Sequence, residues 1–351
     1  MTIKVLIVDD SAFMRNALSS MLSSNPEIKI IGTAHDGVEA VQKVALLKPD
    51  IVTMDVEMPR MDGIEALRLI MDKTPVPVIM VSSLTVEGAQ VTLDALDYGA
   101  VDFIPKNLSE LSINIVKIKE MLVDKVKHIA RSGIGNKRKI PPPTSRYTAA
   151  PKIIQMRATG ERRVNVVAIG SSTGGPRALQ ELIPRLPKDF PVPIVIAQHM
   201  PANFTKSFAE RLSQLSQITV KEAEEGEVLK AGVALVAPGG GHMRVIRPRG
   251  IETVVSLSES RDEFIYRPSV DYLMQSISEL FPGRALGVIL TGMGNDGAKG
   301  MAAMKQTGSR IFAQNEETCV VYGMPRAVVD AGVADKVISI DEMAGEIINA
   351  V

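Results

Sequence analysis

Short apolar runs rich in Val and Ile recur through the first third of the chain, at residues 3–8, 28–34, 51–54, 76–81 and 101–104. Between them lie stretches such as 13–22 and 38–47, where apolar residues return at helical spacing against a polar remainder. Strand-like runs that are apolar on both faces, separated by amphipathic helices, predict βα units and a parallel sheet covered on both sides. The pattern resumes at residues 164–169, 194–197, 233–237 and 285–290. The expected fold class is therefore α/β, with two doubly wound parallel-sheet domains.

Residues 132–163 interrupt the pattern. They carry Ser132-Gly133-Ile134-Gly135, then Lys137-Arg138-Lys139 and Pro141-Pro142-Pro143, with almost no apolar periodicity. Such a stretch buries too little surface to offset its ordering entropy and reads as a basic, Pro-rich linker. Charge marks the same cut. Residues 1–124 hold 11 basic and 18 acidic residues (−7), residues 125–163 hold 11 and 1 (+10), and residues 164–351 hold 18 and 21 (−3). The expected division is 1–131, a linker over 132–163, and 164–351. The basic joint is either a solvated tether or a docking strip for an acidic partner.

Composition narrows the function classes. Two domains suit a chain of 351 residues, and 45% hydrophobic with 23% charged residues is ordinary for a globular protein. Forty basic residues balance forty acidic ones, which disfavours a nucleic-acid binder. A single cysteine, Cys319, excludes an intrachain disulfide framework and a cysteine-cluster zinc site, and reads as a small buried residue. No apolar run reaches the ~18 residues of a membrane span. The N-terminus runs straight into a strand, so membrane insertion is not expected and a reducing, cytoplasmic location is.

Polar residues of the first domain fall at strand ends. Asp9 and Asp10 follow the first strand, Asp55 the third, Ser82 closes the fourth and Lys106 follows the fifth. Strand C-termini share one edge of a parallel sheet, and in the order 2-1-3-4-5 the first and third strands adjoin at the switch point. Three carboxylates there repel one another unless a cation intervenes, and oxygen-only ligands suit Mg²⁺. A lysine and a hydroxyl facing that ion form a cradle for a phosphoryl group. A lone Asp after a strand is usually a helix N-cap, but matched strand ends argue against that reading for all of them. The stretches Val5-Leu6-Ile7-Val8-Asp9-Asp10-Ser11, Asp55-Val56-Glu57-Met58-Pro59-Arg60-Met61-Asp62-Gly63, Val81-Ser82-Ser83 and Phe103-Ile104-Pro105-Lys106 resemble the receiver domain of response regulators over about the first 125 residues. The resemblance implies a flavodoxin-like domain whose Asp55 accepts a phosphoryl group from a histidine kinase. It implies Mg²⁺ held by Asp10, Asp55 and the Glu57 backbone carbonyl with Asp9 nearby, and Ser82 and Phe103 as the switch pair. Asn107 stands where that family usually has proline.

In the second domain the first strand runs into Gly170-Ser171-Ser172-Thr173-Gly174-Gly175-Pro176. Proline suits the first turn of a helix, so the glycines form a strand-to-helix turn. A phosphate-binding Walker loop fails because Pro176 occupies the lysine position. Gly170, Ser172 and Gly174 satisfy the nucleophile elbow Gly-x-Ser-x-Gly, although a plain tight turn stays open. Four histidines could supply a base. His35 and His128 fall in the first domain and read as surface residues. His199 follows a strand on the same sheet edge as Ser172 and is favoured over His242, which follows Pro238-Gly239-Gly240-Gly241. Asp296, after the strand 285–290, is either the orienting carboxylate or a cap for the next helix.

The runs Ala168-Ile169-Gly170-Ser171-Ser172-Thr173-Gly174-Gly175-Pro176, Gln198-His199-Met200-Pro201, Ala237-Pro238-Gly239-Gly240-Gly241-His242-Met243, Leu290-Thr291-Gly292-Met293-Gly294-Asn295-Asp296-Gly297 and Gln314-Asn315-Glu316 resemble the catalytic domain of chemotaxis-type protein-glutamate methylesterases. Gly170-Ser171 departs from the Gly-Ala common in that family. The resemblance implies a Rossmann-like domain with Ser172 as nucleophile, His199 as base and Asp296 as orienter. It also implies hydrolysis of glutamate methyl esters, with some glutamine deamidation, on chemoreceptor cytoplasmic helices. Ester hydrolysis would need no cofactor. The expected partners are those receptors and the chemotaxis histidine kinase. Backbone N–H groups of Thr173 and Met293 are the expected oxyanion donors. The unphosphorylated receiver is expected to cover the triad mouth, and phosphorylation of Asp55 to release it.

Overall fold

A computed structural model describes residues 2–83, 85–106, 111–132, 164–248, 250, 252–259 and 264–351, at residues 86 and 111–118 for the backbone alone. The chain divides into two compact units, Met1–Ala149 and Ala150–Val351. All of the expected linker except Ser132, and Asn107, fall outside the described residues.

The first unit alternates strictly: β1 (Ile3–Val8), α1 (Ala12–Ser23), β2 (Ile28–Ala34), α2 (Gly37–Leu47), β3 (Ile51–Asp55), α3 (Gly63–Lys73), β4 (Val78–Ser82), α4 (Val86–Asp97), β5 (Asp102–Pro105) and α5 (Leu111–Arg131). Its five strands are all parallel in the order β2-β1-β3-β4-β5. The central strands β3 and β4 are buried along their whole length, which is why they read as unbroken apolar runs. Ser11, Asp36, Asp62 and Thr85 cap α1 to α4 through their side chains. Asp9, Asp10 and Asp55 therefore serve no helix as N-cap and are left for other chemistry.

In the second unit β6 (Val166–Ser171), β7 (Ile194–Gln198), β8 (Thr219–Glu222), β9 (Val233–Val236), β12 (Ala285–Ile289), β13 (Arg310–Gln314) and β14 (Lys336–Ile338) form one parallel sheet, ordered β14-β13-β12-β6-β7-β9-β8. Helices α6 (Gly175–Leu182), α7 (Ala202–Leu215), α8 (Val270–Leu280), α9 (Ala298–Gln306), α10 (Met324–Asp330) and α11 (Ile340–Ala350) accompany it. Strands β10 (His242–Ile246) and β11 (Val254–Ser258) leave the sheet as an antiparallel ribbon. The chain reverses direction across the sheet at β6, which pairs with β7 on one side and β12 on the other. Such a reversal opens a crevice at the C-terminal strand ends. Val166, Ala168, Val195, Ile289 and Met301 are fully buried in the core beneath it.

Candidate active site

Ser172 lies one residue beyond β6, on a turn closed by hydrogen bonds from Ser172 N to Thr291 O (3.0 Å) and from Gly175 N to Ser172 O (2.8 Å). Glycine is needed once in the turn and once in the loop facing it. Gly174 sits at φ +76°, a left-handed conformation that a side chain resists. A Cβ on Gly292 would come within 2.9 Å of Ser172 Cβ. Pro176 falls in the first turn of α6, where its missing N–H costs nothing.

His199 follows β7 and is tied back by its N–H to Ser171 O (3.1 Å). Its ring bridges the site: Nδ1 lies 3.1 Å from Ser172 Oγ and Nε2 lies 2.7 Å from Asp296 Oδ2. The nitrogens are used in the reverse sense to the serine-protease template. Asp296, after β12, accepts from Ser269 Oγ (3.0 Å) and Asp271 N (3.0 Å) on Oδ1, and from Val270 N (2.7 Å) and His199 on Oδ2. Its carboxylate thus sits on the N-terminus of α8, where open N–H groups and the helix dipole favour negative charge. Burial opposes its ionisation. The His199 hydrogen bond and charge, with the α8 N–H groups, outweigh burial and hold its pKa below the ordinary carboxylate value. An ionised Asp296 keeps the proton on Nε2 and leaves Nδ1 to accept from the serine.

The capping is reciprocal. Asp271, on the first turn of α8, accepts from Gly297 N (2.9 Å) and Gly300 N (2.7 Å) at the start of α9. Burial, then its neighbour Asp296, raise its pKa despite those bonds. Each carboxylate locks the other's helix, which fixes the Asp296 loop. Gln198 does the same for the other two groups. Its Nε2 donates to Ser172 O and His199 O (both 3.0 Å), and its Oε1 accepts from Ser171 Oγ (2.6 Å). The extra hydroxyl of Ser171 thereby orients the amide.

Thr173 and Met293 N–H groups donate to no other protein group among the described residues. Their loops are tied together by Thr291 Oγ1, which donates to Thr173 O (2.9 Å). His242 is fully buried between Phe264 and Tyr272, and its Nδ1 accepts from Ser269 N (3.3 Å). It meets the site only at one remove, behind Asp296. His35 and His128 are exposed in the first unit, and Cys319 is buried with its thiol pushed up by burial. Ser269, Asp271, Gln198 and Tyr266 carry no assigned role in the sequence expectations. Gln198 had a signal, as a polar residue in an apolar strand, and Ser269 had another, as a cap before an amphipathic run.

The first unit assembles the other predicted cluster. Carboxylate oxygens of Asp9, Asp10 and Asp55 lie within 4.8 Å of one another. Lys106 Nζ is 2.5 Å from Asp55 Oδ2 and 3.3 Å from Asp9 Oδ2. Burial raises Asp55 to about 6, the Lys106 hydrogen bond pulling down and Asp9 pushing up. Burial likewise raises Asp9 against Lys106. Three carboxylates against one ammonium, with the Glu57 carbonyl accepting no protein hydrogen bond among the described residues, fit a hard divalent cation. Ser82 Oγ is engaged with α4, accepting from Thr92 Oγ1 at 2.6 Å, and Phe103 is buried.

Residues 167–347 match the family of CheB methylesterases, and residues 5–115 match the response regulator receiver domain. A protein-glutamate methylesterase/protein-glutamine glutaminase of Oleidesulfovibrio alaskensis is 52% identical over 368 aligned positions, covering 99% of each chain. One from Nitratidesulfovibrio vulgaris is 51% identical, again over 99% of each. Among solved structures, the CheB methylesterase catalytic domain of Thermotoga maritima is 45% identical with a TM-score of 0.52, covering 54% of this chain and 99% of that one.

Proposed function

This chain belongs to the CheB methylesterase family, and we propose that it is a phosphorylation-activated serine esterase hydrolysing glutamate methyl esters on chemoreceptor cytoplasmic domains. The observation that carries this reading is the unbroken line from Ser172 Oγ through the His199 ring to Asp296 at one sheet edge. Ser172 attacks the ester carbonyl as His199 Nδ1 takes its proton, and Asp296 stabilises the imidazolium. Thr173 and Met293 N–H groups receive the oxyanion, a contribution typically worth ~10²–10³ in rate per donor. Collapse breaks the C–O bond, with His199 returning the proton to release methanol and leave a Ser172 acyl ester. Water, deprotonated by His199, then frees glutamate and the serine. A receptor glutamine follows the same course with ammonia leaving. Side chains and backbone alone suffice for this chemistry.

Residues 1–131 form the receiver and 164–351 the esterase in this reading, with 132–163 as tether. Asp55 takes a phosphoryl group from the chemotaxis histidine kinase in the cytoplasm. Asp10, Asp55 and the Glu57 carbonyl, with Asp9 adjacent, would hold Mg²⁺, which would supply charge neutralisation for that transfer. Lys106 faces the phosphoryl oxygens, and Ser82 and Phe103 transmit the change. No helix among the described residues is long and apolar enough to cross a membrane.

The test is incubation of the full chain with membranes bearing methylated chemoreceptors, with and without a small-molecule phosphodonor. Methanol release that rises with the donor is expected. Absence of release under both conditions would overturn the reading.

A further inference from the structure

We propose that Tyr266 is a positioning residue for this reaction: its ring face fixes the plane of the His199 imidazole and stabilises the imidazolium formed as Ser172 loses its proton. The inference rests on the esterase reading above. The two rings are stacked almost parallel, with centroids 4.4 Å apart and an interplanar angle of 9°. Ser172 and Asp296 each hold one nitrogen of the His199 ring. Those bonds engage the ring edge, not its faces. A flat partner on one face adds a restraint on the plane of the ring. Tyr266 also reaches over the loop that carries Met293, since a Cβ on Gly294 would lie 3.2 Å from the Tyr266 hydroxyl. One half-buried side chain thus spans the base and an oxyanion loop.

The contact strengthens during the reaction. A π face attracts a cation more than a neutral ring. The imidazole gains a proton as Ser172 loses one, so the stack acts on the chemical step more than on substrate binding. Among the described residues, the titratable and charged groups near the imidazole include Asp296 in contact with it, Asp271 at the start of α8, His242 bonded to Ser269 N, and Arg267 next to Tyr266 in sequence. Tyr266 supplies the only ring stacked on the imidazole among the described residues.

Methanol release from methylated receptor membranes is measured with the full chain and phosphodonor across pH, for wild type, Tyr266→Phe, Tyr266→Leu and Ser172→Ala. Tyr266→Phe keeps the π face and stays within about two-fold of wild type. Tyr266→Leu lowers kcat about ten-fold with KM little changed, and moves the acid limb of kcat/KM about one pH unit towards lower pH. A Leu variant whose acid limb coincides with that of wild type, whatever its rate, overturns the inference. So does a Phe variant as impaired as Leu. If Tyr266→Leu fails to fold, Tyr266→Met, bulky but without a π face, is read by the same criteria. Release that survives Ser172→Ala would instead overturn the esterase reading, and this inference with it.

Discussion

Asp296 has all its acceptor positions in use: one serine hydroxyl, two helix N–H groups and one imidazole. Asp296→Asn places an amide donor where only donors point. By the serine-protease precedent this costs ~10⁴ in kcat. Crowded donors at the start of α8 also lower stability by about 1–3 kcal/mol. Methanol release and denaturant unfolding measure both, and near-wild-type kcat would contradict the role. The residue was legible as a carboxylate in a glycine loop after a strand, with a helix cap as its rival. It does cap a helix, but α8 and not the α9 that follows it, whose N–H groups go to Asp271. That crossing joins residues about 25 apart, and no local period records it. The choice between His199 and His242 was open for a related reason. Both follow glycine or strand signals, but His242 begins a ribbon that leaves the sheet, whereas His199 stays on its edge.

Strands were readable where both faces are buried and faint where they are not. β3, β6, β7 and β12 are entirely buried and stand out as apolar runs. β8 and β14 are half-solvated edges, and β13 offers only Ile311, Phe312 and Ala313 between polar neighbours, so the sequence reading passed over all three. The ribbon β10–β11 was invisible to a search for parallel units. The acidic pocket belongs to this scale, because three strand ends and no local motif assemble it. With Asp55 raised to about 6, the folded state takes up a proton there at a pH where the unfolded chain stays ionised. Without Mg²⁺, the stability of wild type relative to Asp55→Asn therefore rises as pH falls from 7 to 5. At pH 5.5 Mg²⁺ binds more weakly than at 7.5, because protons compete for the same carboxylate. Calorimetric titration of the full chain checks the second point. Equal affinity at the two pH values would contradict a carboxylate site for the metal.

At the scale of the whole chain, the proposed control is that phosphorylation of the receiver biases the esterase between less and more active states. Ten-fold activation needs only ~1.4 kcal/mol of coupling. A phosphodonor should raise methanol release by wild type about ten-fold or more and leave Asp55→Asn unchanged, and an Asp55→Asn chain that still responds would contradict control through Asp55. The two-part organisation was visible in composition and charge alone, whereas how the halves communicate leaves no pattern in a single sequence. The central claim is narrower: Ser172, and not its neighbour, is the nucleophile. Comparing Ser172→Ala with Ser171→Ala in methanol release from methylated receptors tests it most directly. The account predicts complete loss for the first and a modest loss for the second, whose hydroxyl only orients Gln198. Retained release by Ser172→Ala would contradict it.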